Sequence, residues 1–133
     1  MDTIDLPPRP LVLIVDDDAD TRELYAAYLR NEGFRVEVAR HGLEAVERTF
    51  KVLPDVILMD LLMPTLDGWE AMRLLRSRPH TRRIPIIALT GDKEIRDLKL
   101  AKNAGCDVVL LKPCAPEEVR AAIRRLTDTA RVS

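Results

Sequence analysis

Short apolar runs recur along the chain, separated by stretches with a helical pattern. Four runs are continuously apolar, at 11–15, 56–59, 84–89 and 108–111, and they are rich in Val, Ile and Leu. Such runs are typical of strands covered on both faces, as in a parallel sheet. A fifth run, 34–39, alternates apolar and polar residues, so we predict that it forms an edge strand of the same sheet.

Between these runs, apolar residues return every three or four positions, which predicts amphipathic helices. The predicted helices span 20–31, 42–52, 67–77, 93–103 and 116–127. On one side of the second helix we expect a core-facing set that consists of Leu43, Val46, Phe50 and Leu53. Gly33 and Gly105 follow two of the helices, where a left-handed residue commonly ends a helix.

The strand-helix order occurs five times, which predicts an α/β protein with a doubly wound, five-stranded parallel sheet and five helices on both faces. A chain of 133 residues is long enough to bury the core of one domain. We expect this domain at 9–128, with an N-terminal arm at 1–8 and a C-terminal tail at 129–133.

Composition argues against several classes of protein. The net charge of −1 gives no bulk attraction to nucleic acid, and the apolar runs are far shorter than the roughly 20 residues that cross a bilayer. The N-terminus lacks the basic and apolar regions of a signal peptide. The two cysteines, Cys106 and Cys114, indicate neither a disulfide framework nor a metal site, so we expect a cytoplasmic protein with reduced thiols.

Polar side chains directly follow four of the five predicted strands. Asp16 and Asp17 follow the first strand, Asp60 the third, Thr90 the fourth and Lys112 the fifth. Because ligands of open α/β sheets bind beyond the carboxyl ends of the strands, we expect these side chains in one pocket. Three close carboxylates repel one another unless a cation lies among them. Oxygen ligands without His or Cys favour Mg²⁺, with Mn²⁺ as the alternative.

Asp60 is the candidate nucleophile of this pocket, because a carboxylate can accept a phosphoryl group as an acyl phosphate. Mg²⁺ and Lys112 would neutralise the oxygens of the transferred group, and Thr90 could donate its hydroxyl to it. A single aspartate after a strand usually caps a helix or turn, so the inference depends on the coincidence of four strand ends.

Four segments together resemble the receiver domain of bacterial two-component response regulators. They read LVLIVDDD at 11–18, DVILMDLLMPTLDG at 55–68, PIIALTG at 85–91 and KP at 112–113. The resemblance implies a flavodoxin-like fold with strand order 2-1-3-4-5. It also implies a cis peptide bond between Lys112 and Pro113.

The same resemblance implies a role for each residue of the pocket. Mg²⁺ is held by Asp16, Asp17, Asp60 and the backbone carbonyl of Leu62. Asp60 takes the phosphoryl group from a phosphohistidine of a sensor histidine kinase or of a histidine phosphotransfer protein. Lys112 pairs with that group, and Thr90 moves towards it. The movement changes an output surface made of the predicted helix 93–103, the strand 108–111 and the helix 116–127.

The sequence departs from the family pattern at two positions, one within this surface and one between its strand and its last helix. Val109 stands three residues before the lysine, where the family often has Tyr or Phe, and Cys114 stands where Phe is common. We expect both departures to leave phosphorylation intact and to affect how the output surface responds. For Cys114 we favour a small buried apolar side chain over a reactive thiol.

Three alternatives fit parts of the sequence. Asp16, Asp18 and Asp20 match the start of a calcium EF-hand, but Thr21 and Ala27 occupy its required Gly and Glu positions. A haloacid-dehalogenase-type phosphatase needs Thr or Val where Asp20 stands, and a longer chain. The third alternative is a pseudo-receiver, an interaction module that is never phosphorylated.

We therefore predict a signalling phosphoacceptor that catalyses only its own phosphorylation and dephosphorylation. Its expected partners are the phosphohistidine donor and a downstream protein target. We expect no direct contact with nucleic acid, since only a short tail follows the last helix, and no insertion into a membrane. The sequence is compatible with a monomer or with a dimer that forms on phosphorylation.

Overall fold

The computed structural model describes residues 9–61, 68–91 and 105–132, with side chains to residue 128. The strands in these ranges are β1 Leu11–Val15, β2 Arg35–Ala39, β3 Val56–Asp60, β4 Ile86–Thr90 and β5 Val108–Leu111. The helices are α1 Ala19–Asn31, α2 Gly42–Val52, α3 Gly68–Arg76 and α4 Pro116–Val132. The predicted helix 93–103 lies outside the described residues. Within the described ranges, no helix has the length and apolar content needed to span a bilayer.

The five strands form one parallel sheet in the order β2-β1-β3-β4-β5. This confirms the predicted fold class and the strand order that the resemblance implied. The alternating strand β2 lies at an edge, as its pattern predicted, while β3 and β4 are buried along their whole length. The strand order reverses between β1 and β3, so their carboxyl ends lie side by side at the position where open α/β sheets bind ligands.

Two apolar layers cover the sheet, one on each face. On one face α2 and α3 pack onto the strands, with Ala45 and Leu75 fully buried. On the other face α1 and α4 do the same, with Leu29 and Ile123 fully buried. Burying a large apolar side chain stabilises the fold by about 1.5–3 kcal/mol, so these layers hold the strand ends in fixed positions.

The prediction for the buried face of α2 was wrong. Of the four residues expected in the core only Val46 is buried, whereas Leu43, Phe50 and Leu53 are 50%, 45% and 54% exposed. The buried positions of α2 are mostly small: Gly42, Ala45, Val46 and Thr49. Small side chains let the helix approach its neighbours closely, which turns the larger apolar residues towards solvent.

Backbone features at two turns and one loop agree with the sequence. Gly33 and Gly105 have φ values of +95° and +119°, in the region that favours glycine. The Lys112–Pro113 peptide bond is cis, as the resemblance implied. Both glycines lie within three residues of the start of a strand, β2 for Gly33 and β5 for Gly105.

Candidate functional site

An acidic pocket lies at the carboxyl ends of β1 and β3. The chain leaves β1 through Asp16 and Asp17, and β3 ends with Asp60. One carboxylate oxygen from each of these aspartates lies within 4.8 Å of the other two. Asp16 and Asp60 are buried, at 1% and 5% exposure, whereas Asp17 is open to solvent. The structure thus brings together three residues that lie up to 44 positions apart in the sequence.

Lys112 places a positive charge among these carboxylates. Its Nζ lies 3.3 Å from Oδ2 of Asp60 and 3.4 Å from Oδ2 of Asp16. Partial burial by itself would lower the pKa of Lys112, but the carboxylates of Asp60 and Asp16 outweigh burial, and the pKa is raised. The lysine therefore stays charged at neutral pH.

The donor set of the pocket fits a hydrated magnesium ion. Three carboxylates face one ammonium, so ionised carboxylates leave a surplus of negative charge that a divalent cation would balance. All three donors are oxygens, and the exposure of Asp17 leaves room for the water ligands that Mg²⁺ keeps. Leu62, whose carbonyl was expected as a further ligand, lies outside the described residues.

Local hydrogen bonds fix the orientation of Asp16. Its Oδ1 accepts from the backbone N–H of Asp18 at 2.9 Å, and its carbonyl accepts from the Arg22 guanidinium at 2.8 Å. Asp18 itself caps α1, because its carboxylate accepts from the backbone N–H of Thr21 at 3.1 Å. The hydrogen bonds from Thr21 lower the pKa of Asp18. Asp16 and Asp17 therefore place their carboxylates in the pocket, whereas Asp18 places its carboxylate at the N-terminus of α1.

Gly68 allows the backbone around Asp60 to take its position. A Cβ at residue 68 would lie 2.4 Å from the carbonyl oxygen of Asp60 and 2.8 Å from the Cα of Leu61. The N–H of Gly68 donates to the carbonyl of Leu61 at 3.2 Å. A side chain at residue 68 would displace the segment that carries the aspartate, so the start of α3 is packed directly against the site.

Thr90 ends β4 at the same rim and is fully buried. It follows Leu89, which is the β4 partner of Asp60 in the sheet. Its carbonyl accepts a 2.8 Å hydrogen bond from the backbone N–H of Lys112. The structure therefore places Thr90 between the strand that carries the aspartate and the loop that carries the lysine.

Two residues that donate hydrogen bonds to the segments carrying the pocket were not predicted from the sequence. One is Arg22, which binds the Asp16 carbonyl. The other is Tyr25, whose hydroxyl donates to the carbonyl of Cys114 at 2.7 Å. Arg22 stands one helical turn after the cap of α1, which could have suggested a role near the strand end. Tyr25 and Cys114 are 89 residues apart, and no local pattern indicates their contact.

The two departures from the family pattern are both partly or fully buried. Cys114 is 8% exposed, and its Sγ lies 3.4 Å from a carboxylate oxygen of Glu118. Burial, followed by this contact, raises the pKa of the thiol to about 11. The thiol is therefore protonated at neutral pH, in line with a small apolar side chain. Val109 packs against the core layer of α2 and α3.

Comparisons with known proteins agree with this geometry. The family profile of the response regulator receiver domain matches residues 12–124. The DNA-binding response regulator MtrA of Mycobacterium tuberculosis is 36% identical over 132 residues, which cover 96% of this chain and 55% of that protein. The chain spans about half the length of the curated relatives it matches.

Solved structures show the same fold over nearly the whole chain. Chemotaxis protein CheY4 of Vibrio cholerae is 30% identical, with a TM-score of 0.82, and the match covers 89% of this chain and 98% of that one. The receiver domain of sensor histidine kinase PA1611 from Pseudomonas aeruginosa PAO1 is 33% identical, with a TM-score of 0.82, and the match covers 90% and 98%. That structure has a magnesium ion coordinated in its active site cleft.

Proposed function

Because the chain belongs to the family of response regulator receiver domains, we propose that Asp60 accepts a phosphoryl group from a phosphohistidine. The donor is a sensor histidine kinase or a histidine phosphotransfer protein. The observation that carries this proposal is the acidic pocket, in which the ammonium of Lys112 lies 3.3 Å from Asp60 and the carboxylates of Asp16 and Asp17 lie beside it.

In the proposed step, a carboxylate oxygen of Asp60 attacks the phosphorus of the phosphohistidine. An O–P bond forms, the P–N bond breaks, and its electron pair stays on the imidazole nitrogen of the donor. The product on this chain is an acyl phosphate. The ammonium of Lys112 offsets the negative charge on the phosphoryl oxygens during the transfer. Water later hydrolyses the acyl phosphate, which releases inorganic phosphate and returns Asp60 to its carboxylate form.

Mg²⁺, or Mn²⁺ in its place, would be held by Asp16, Asp17, Asp60 and the backbone carbonyl of Leu62. When bound, the ion neutralises charge on the carboxylates and on the phosphoryl oxygens. The chain prepares this site through the hydrogen bonds that orient Asp16, so little rearrangement is needed on binding. Because two of the three carboxylates are buried, the ion would relieve a repulsion that water screens poorly.

The proposed response of the output surface to phosphorylation depends on how Thr90 and Lys112 are connected. Both side chains are proposed to contact the phosphoryl group, and a hydrogen bond joins the backbone of Thr90, at the end of β4, to that of Lys112, just after β5. A shift of either residue would move the start of the loop that connects β5 to α4. This would change the output surface that a downstream protein target binds. Added charge that biases a packed element is a general mode of action of phosphorylation. We assign this receiver function to 9–128.

Intact-mass spectrometry tests the proposal directly. Wild-type protein incubated with acetyl phosphate and Mg²⁺ is expected to gain the mass of one phosphoryl group. The gain should disappear on chelation of Mg²⁺ and in Asp60→Asn. Asp18→Asn is the matched control, because it changes an aspartate of the same acidic run that caps α1, and it should be phosphorylated like the wild type. A folded wild type that gains no mass would contradict the proposal and favour the pseudo-receiver.

A further inference from the structure

A buried hydrogen bond connects α1 to the loop that follows Lys112. Tyr25 is 4% exposed, and its hydroxyl donates to the carbonyl of Cys114 at 2.7 Å. Burial is the main cause of the raised pKa of Tyr25, so its hydroxyl keeps the proton that it donates. Without this donor the Cys114 carbonyl would lose its partner in a buried position, which costs free energy.

This bond helps to define where the lysine can lie. The backbone is anchored at two points around the lysine. The N–H of Lys112 donates to the carbonyl of Thr90 at 2.8 Å, and the carbonyl of Cys114, two residues after the lysine, accepts from Tyr25. The distances from Nζ to the carboxylates of Asp16 and Asp60, 3.4 and 3.3 Å, exceed the 2.7–2.9 Å of a tight charge-assisted hydrogen bond. Because these contacts of the Lys112 ammonium are long, its position depends on the two hydrogen bonds that anchor the backbone of the loop.

We propose that Tyr25 is a positioning residue for phosphorylation, which acts by anchoring the loop that carries Lys112. The proposal rests on the proposed function, since it assigns Tyr25 to the same pocket. The hydroxyl of Tyr25 donates to a backbone carbonyl of the loop, not to a carboxylate of the pocket. Its effect passes through the Cys114 carbonyl to the lysine two residues earlier.

Tyr25→Phe removes only the hydroxyl and keeps the buried ring. We expect the rate of phosphoryl incorporation from acetyl phosphate, at saturating Mg²⁺, to fall about three- to tenfold, the range that loss of one hydrogen bond produces. The affinity for Mg²⁺, measured by calorimetry, should stay within about twofold of wild type because the carboxylates are unchanged. Tyr28→Phe is the matched control on the same helix, since its hydroxyl bonds to Glu32 instead of the loop, and its rate should equal that of wild type.

A double-mutant cycle separates positioning from general loosening of the fold. In a Lys112→Met background, Tyr25→Phe should cause no further loss of rate, because there is no ammonium left to position. Equal multiplicative losses in both backgrounds would overturn the proposal. Replacement of Tyr25 by 4-aminophenylalanine retains a donor at the same place and should restore the rate. If Tyr25→Phe does not fold, the 4-aminophenylalanine variant is the deciding test, and a phosphorylation rate below that of wild type would count against the proposal.

The outcomes also distinguish this proposal from the proposed function. If wild type is phosphorylated and Tyr25→Phe matches it, the positioning role is wrong and the phosphoacceptor stands. If folded wild type is not phosphorylated, both proposals fail. Reduced incorporation in Tyr25→Phe, with unchanged Mg²⁺ affinity and a wild-type rate in Tyr28→Phe, supports both.

Discussion

At the amino ends of β4 and β5 the guanidinium of Arg76 is surrounded by acceptors, whereas at their carboxyl ends Lys112 faces a surplus of carboxylates. Arg76 ends α3 and donates four hydrogen bonds of 2.6–2.9 Å, to the carbonyls of Gly105, Arg82 and Ile84 and to the carboxylate of Asp107. The same carboxylate accepts from the N–H of Ile86 at 2.8 Å. This amino-end network therefore balances its charge with its own residues.

The difference between the two ends shows how a structural charge differs from a functional one. A charged group with short bonds to several acceptors stabilises the folded chain and gains nothing from a ligand. Close carboxylates with one ammonium at 3.3–3.4 Å lower the stability of the unliganded chain and gain a great deal from a cation or a phosphoryl group. Four predictions test this contrast, in order of decreasing effect.

The largest effect is expected from loss of the lysine. Lys112→Met keeps the length of the side chain but removes the charge that offsets the phosphoryl oxygens. The rate of incorporation from acetyl phosphate should fall about 10²–10³-fold, as for other groups that stabilise charge in a transition state. Arg82→Met removes an exposed cation at the opposite end of the sheet and should leave the rate unchanged. Equal rates in Lys112→Met and wild type would remove the lysine from the mechanism.

Arg76→Ala should affect stability instead of phosphorylation. The substitution removes the guanidinium that donates to three carbonyls and to the Asp107 carboxylate, so we expect the free energy of unfolding to fall by about 2–4 kcal/mol. Urea denaturation at neutral pH measures this change. Arg82→Ala serves as the control and should stay within about 0.5 kcal/mol, because its side chain is exposed. A similar small change for Arg76→Ala would mean that the amino-end network does not stabilise the fold.

Asp17→Asn should remove the stabilisation by magnesium. For wild type, Mg²⁺ at about 100 times its dissociation constant should raise the free energy of unfolding by about 2.7 kcal/mol. In the variant the increase should vanish, while stability without Mg²⁺ should stay equal or rise, because one of three mutually repelling carboxylates is gone. Thermal unfolding with and without Mg²⁺ measures both. An equal stabilisation by Mg²⁺ in wild type and in Asp17→Asn would mean that the ion binds outside the acidic pocket.

The smallest effect is a dependence on high pH. The folded-state pKa of Lys112 is raised, so its contribution to stability is fully present below about pH 10.4, the unfolded value, and is lost as the pH rises through the folded value. The difference in unfolding free energy between wild type and Lys112→Met should thus be constant from about pH 7 to pH 10 and change only above. Cys114 titrates near the same range in both proteins, so its contribution cancels. A change in this free-energy difference near neutral pH would contradict the raised pKa of Lys112.

Much of the fold could be predicted because its signals are local. The continuous apolar runs at 11–15 and 56–59 became buried strands, and the alternation in 34–39 marked the edge strand. The buried face of α2 could not be predicted, because it depends on how closely that helix approaches its neighbours. Periodicity favoured Leu43 and Phe50, but close packing selected the small side chains on the other side of the helix.

In the acidic pocket, strand-end aspartates and Lys112 could be identified because the topology of a parallel sheet fixes where its strands end. The close approach of Gly68 to the Asp60 carbonyl could not be predicted, because it depends on three-dimensional packing. The bond between Tyr25 and Cys114 depends on side-chain geometry between remote segments, and sequence patterns carry no information on it.

The central claim is that Asp60 becomes an acyl phosphate, and chemical trapping tests it most directly. Borohydride reduces an acyl phosphate of aspartate to homoserine, which tandem mass spectrometry locates within a peptide. After treatment with acetyl phosphate and Mg²⁺, homoserine is predicted at position 60 and at no other aspartate. Homoserine at position 16 or 17, or its absence from a protein that had gained a phosphoryl group, would contradict the claim.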